Sequence, residues 1–125
     1  METNILAILV AAIAALFVGF IWYHPKVFGN TWMQVAGVTE EQLKAGNMAK
    51  IFILALVFSF LLSFAMQFLV IHQTGVLGVI GGDPTKALPS YAAFMADYGD
   101  AFRTFKHGAL HGFIGGLFIA LPIIG

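Results

Sequence analysis

Two long stretches of the chain carry no charge at all. They run from Ile5 to Tyr23 and from Ile51 to Ile71. Each is about 20 residues, enough at 1.5 Å per residue to cross roughly 30 Å of hydrocarbon as a helix. A third apolar run, Gly108 to Gly125, is interrupted by His111 and Pro122 and is just long enough for a third crossing. The pattern therefore predicts an all-α membrane protein: a single transmembrane domain over residues 1–125, with spans at about 5–23, 51–71 and 108–125. Ala12-Ile13-Ala14 has the form of a leader-peptide cleavage site. The segment ahead of it carries Glu2 and no Lys or Arg, however, and the apolar run continues well past it, which favours an uncleaved helix.

Between the spans the pattern breaks up. The residue before a proline is pushed out of the α region, so His24-Pro25 ends the first helix. Thr39-Glu40-Glu41-Gln42 reads as a capping box opening a short surface helix that stops near Gly46-Asn47. Gly75 to Pro89, rich in Gly and Pro, is expected to be irregular. From Ser90 onward Tyr91, Phe94, Met95, Tyr98, Phe102 and Phe105 recur at helical spacing. This predicts an amphipathic helix, either lying in the membrane interface or packed on the bundle.

Composition agrees with lipid as the solvent. The chain is 60% hydrophobic and 10% charged, with a mean hydropathy of +0.92, whereas soluble domains carry about a quarter charged residues. Six basic and six acidic residues balance, so no basic field points to nucleic acid. With no cysteine, disulfides and thiolate metal sites are excluded. Lys86, Arg103 and Lys106 fall on the Met1 side of the predicted membrane and Lys26, Lys44 and Lys50 on the other, so the positive-inside count ties.

Helices in lipid associate through close backbone approach and a few polar contacts. Three stripes suit that role: Ala7, Ala11, Ala15 and Gly19 in the first span; Ser59, Ser63 and Gln67 in the second; and Gly108, Gly112, Gly115 and Gly116 in the third. Each serves contact within one chain or between copies, and the hydroxyl stripe is also a conceivable substrate path.

Trp22, Tyr23, Pro25, Phe28, Gly29 and Trp32, following Gly19, make a compact aromatic hinge suited to the headgroup level. In this spacing the chain resembles an uncharacterised integral-membrane family known only as a domain of unknown function, the DUF seventeen-sixty-one group. His107 to Pro122 resembles the family's later half. The resemblance implies four membrane helices, a multi-pass location in a bacterial cytoplasmic (inner) membrane, and no established activity. It also implies a polar turn and a fourth span after Ile124-Gly125, so the chain is expected to be truncated or to have three spans.

His107 and His111 are four apart and share a helix face, and His72 ends the second span on the same side of the membrane. Neutral imidazoles at this spacing can ligate zinc, copper or haem iron, or relay protons. His24 belongs to the opposite side. No nucleophile and base stand in an obvious constellation, so a non-enzymatic role is expected: a structural or accessory subunit working by helix packing, in a homo-oligomer or a larger complex of membrane subunits, without a required cofactor. A small transporter or channel and a metal, haem or proton site on His72, His107 and His111 are the alternatives. The first two spans lack the embedded carboxylate that small multidrug exporters centre on.

Overall fold

The computed structural model describes residues 3–124 and is all-helical, with no strand among them. Helix α1 (Ile5–Trp22) starts where the Asn4 side chain accepts the Ala7 amide at 2.9 Å. A π-helical turn (Pro25–Gly29) leads into α2 (Asn30–Ala36), followed by α3 (Glu40–Ala45) and α4 (Met48–Val70). Then come α5 (Gln73–Val79), a 3-10 turn (Pro84–Lys86), α6 (Pro89–Tyr98) and α7 (Phe105–Gly115). A second π turn (Gly116–Ala120) leads into α8 (Leu121–Ile124). Two of these helices, α1 and α4, are long and apolar enough to cross a membrane. The chain divides into two compact units, Met1–Ala65 and Met66–Gly125.

In the first unit, the buried residues of α1 are Ile8 and Ala12, one turn apart, and half-buried Leu16 and Gly19 extend their stripe. Ala7, Ala11 and Ala15 lie one residue round and are exposed. The rings of Phe20 on α1 and Phe52 on α4 meet at 5.4 Å. The aromatic hinge folds on itself, with Trp22 against Phe28 at 4.4 Å and Tyr23 edge-on to Trp32 at 5.1 Å. His24 is extended, as a residue before proline should be, and its Nδ1 accepts the Lys26 amide at 3.2 Å. The wide turn closes with the Gly29 amide on the His24 carbonyl at 3.1 Å. Gly29 is buried, and a Cβ there would run into the Tyr23 carbonyl. The Thr39–Gln42 capping box forms as expected, with side chain to backbone bonds of 2.8 and 3.3 Å.

In the second unit, the end of α4 packs on α7: Cβ atoms added at Gly108 and Gly115 would lie 4.0 Å from Val70 and Met66 respectively. The half-buried face of α7 is therefore His107, Gly108, His111 and Gly115, while Gly112 and Gly116 are exposed and open. Ser59, Ser63 and Gln67 lie along the half-buried side of α4, and the Gln67 amide nitrogen has no partner among the described residues.

Three expectations need correction. The segment from Gly75 is not irregular throughout, because α5 runs to Val79. The Thr74 hydroxyl donates to the Ile71 and Phe68 carbonyls at 2.6 and 3.3 Å, which satisfies the end of α4 where the chain bends. The aromatic helix does not reach Phe105. It ends at Tyr98, and residues 99–104 form turns in which Phe102 takes a left-handed φ of 63°. Thirdly, the expected third span begins as α7 at Phe105 and is not one regular α-helix. Pro122 has no amide to give the preceding turn and its ring crowds that turn's carbonyl, so the helix widens into a π turn before it. Gly125, the end of that span, lies outside the described residues.

Candidate metal centre

Three side chains from two stretches of the second unit converge. His72 stands at the bend between α4 and α5, and His107 and His111 project from successive turns of α7. Thr104 starts α7 by capping it, its hydroxyl accepting the His107 amide at 3.3 Å. Val70 and Met66 then find glycines opposite them, so α7 approaches the end of α4 closely enough for the imidazoles to meet.

The Nε2 of His72 is 3.0 Å from the Nε2 of His107 and 3.2 Å from that of His111. The ligating nitrogens of all three lie within 4.8 Å of one another. Tetrahedral ligands on a metal with nitrogen bonds of about 2.05 Å stand about 3.3 Å apart. Two of the separations thus approach what such an ion imposes. His24 is engaged in capping the first π turn.

Phe102 backs the cluster. Its ring stacks on His72 at 5.6 Å with 28° between the planes, and lies against His107 at 5.2 Å and 36°. His72 also borders a cavity of about 610 Å³ whose wall includes Val76, Ile80, Leu88 and Tyr91. Sequence patterning pointed to the three histidines but missed Phe102, Thr104 and Gln73. The Thr104 cap, three residues ahead of His107, was the available signal for one of them.

A family model described as "Protein of unknown function (DUF1761)" matches residues 6–125. The chain belongs to the DUF1761 family. The resemblance carried by the aromatic hinge therefore extends along almost the whole sequence, and the three histidines of this DUF1761 chain fall inside the matched region. No curated protein and no solved structure matches the chain.

Proposed function

We propose that this DUF1761 protein is a multi-pass membrane protein whose functional centre is a transition-metal ion held by His72, His107 and His111. The observation that carries the reading is the convergence of three imidazole nitrogens at separations close to those of metal ligands. A donor set of neutral imidazoles suits zinc, copper, nickel or cobalt, and not the oxygen-seeking magnesium or calcium. Three protein ligands leave one position open, as in metal centres that exchange a water or a substrate.

The membrane part of the proposal rests on α1 and α4. Phe17, Leu62 and Phe58 on them are more than 60% exposed, an apolar surface that water tolerates badly and lipid covers. In this reading the helical run from α7 through α8 is a third crossing that starts beside the metal, and the membrane is the bacterial inner membrane expected from the family resemblance.

A specific observation supports the accessory-subunit reading alongside the metal. Ala7, Ala11 and Ala15 are exposed, and Gly112 and Gly116 have open space around them. Small residues on an outward face let another helix approach closely, from a second copy or from a different membrane subunit. The protein then works as a metal-bearing subunit and not as a free-standing enzyme.

Zinc titrated calorimetrically into tag-free protein in mild detergent tests the metal reading. The parent and His24→Ala should bind alike, and His107→Ala should bind at least about 100-fold more weakly, because an apparent zinc affinity of 10–16 kcal/mol over four ligands is about 3 kcal/mol for each. Equal binding by His107→Ala contradicts the proposal.

A further inference from the structure

Gln73 follows the ligand His72 in sequence and is buried, with 4% of its surface exposed. Its Nε2 donates to the carbonyl oxygens of Tyr98 at 2.6 Å and Ala101 at 3.0 Å. Only a donor can face two carbonyls, so chemistry fixes which way the amide points. Its other end is left worse off: Oε1 is buried with no partner among the described residues. A buried acceptor without a donor is costly, and the side chain is nevertheless held in place by what its nitrogen does.

That nitrogen pins the turn carrying Phe102. Phe102 has a left-handed φ of 63°, a conformation that a bulky side chain disfavours and that persists only when the surroundings impose it. Its carbonyl accepts the Thr104 amide at 2.9 Å, and Thr104 in turn caps the helix bearing His107 and His111. Packing alone does not hold the turn. A cavity of about 240 Å³ lies against it, lined by Gln73, Val76, Phe94, Tyr98 and Phe102 among others. One buried amide therefore ties the segment of His72 to the start of the helix with the other two histidines, and sets the ring of Phe102 over His72 and His107.

We infer that Gln73 and Phe102 are positioning residues of the three-histidine centre. Gln73 fixes the register between the two ligand-bearing segments, and Phe102 is an apolar wall that keeps water off one side, so that a bound ion holds few ligands. The inference rests on the metal reading above. Partners of this kind around metal ligands set ring orientation and solvent access, and losing one typically weakens metal binding 10–100-fold.

Cobalt(II) tests it on the full chain in detergent, since four-coordinate cobalt absorbs visible light far more strongly than six-coordinate cobalt. Phe102→Gly keeps the left-handed turn without strain and removes only the wall. Phe102→Tyr keeps the wall, and Gln73→Met keeps volume while removing the amide. Phe102→Gly should bind cobalt about 10–100-fold more weakly, with a visible band much weaker per bound ion, and its metal-free form should melt no lower than Gln73→Met. Phe102→Tyr should restore affinity and band, and Gln73→Met should lose affinity as Phe102→Gly does. Parent-like affinity and absorption in both Phe102→Gly and Gln73→Met overturn this inference alone. No cobalt uptake by the parent protein overturns the metal reading and this inference with it.

Discussion

Gly29 is the residue of the aromatic hinge at which one methyl group should matter most. A Cβ there would meet the carbonyl oxygen and carbon of Tyr23 and, at 3.0 Å, the carbonyl carbon of His24. All three are backbone atoms, so no rotamer change relieves the clash. The π turn must open instead, straining the 3.1 Å bond from the Gly29 amide to the His24 carbonyl and the ring pairs Trp22–Phe28 and Tyr23–Trp32 on either side. Overpacking costs about 1–3 kcal/mol, and each loosened aromatic pair adds about 0.5–1.5 kcal/mol. Against this stands the helix preference of alanine over glycine, about 1 kcal/mol. The balance for Gly29→Ala is a destabilisation of about 3 kcal/mol. Gly19→Ala is the control: it lies in the same unit inside α1 with nothing within 4 Å of the added carbon, and should gain about 0.5–1 kcal/mol. Unfolding both variants in mixed micelles by denaturing detergent, followed by tryptophan fluorescence, reads the difference through Trp22 and Trp32 of the hinge itself. If Gly29→Ala unfolds at the same detergent fraction as Gly19→Ala, the reasoning from backbone clash fails.

Metal binding should fall as pH drops, because only neutral imidazole ligates. Cobalt should bind well at about pH 7.5 and poorly at about pH 5.5, and affinity unchanged across that interval would count against histidine ligation. A metal present at 100 times its Kd should stabilise the fold by about 2.7 kcal/mol, and a strong chelator should reverse this; a chelator-insensitive melt would contradict it. Gly112→Phe should leave the fold of the single chain intact, since Gly112 has open space around it, while shifting any oligomer toward monomer in cross-linking; unchanged cross-linking would remove this helix face from the interface.

How far the sequence could be read depended on whether a feature was local. The two long apolar helices followed from runs without charge, and the capping box from residues three apart, Thr39 and Gln42. His107 and His111 were paired by helical spacing, and His72 joined them because a helix of known length puts its end on a known side. The departures came where distant parts decide. The recurrence of aromatic residues from Tyr91 to Phe105 suggested one helix, yet Tyr98-Gly99-Asp100 carried a turn signal that this periodicity masked. Gln73 looks like any polar residue after a span. Its partners are carbonyls 25 and 28 residues away, which leave no mark in side-chain patterning. Phe102 reads as part of an apolar stripe, and its left-handed backbone arises only once that turn is pinned. The helix of α5 persists through Gly75 and Gly78 because Thr74 satisfies the carbonyls behind it, a compensation that glycine content conceals.

The most direct test of the central claim is the metal content of the protein as the cell makes it. The chain, without any histidine tag, is purified from its own membrane in chelator-free detergent, and its metals are counted by mass spectrometry beside a variant with His72, His107 and His111 all replaced by alanine. The account predicts about one transition-metal ion per chain in the parent and a loss of that ion in the variant. A metal-free parent, or an equal metal content in the two, would contradict it.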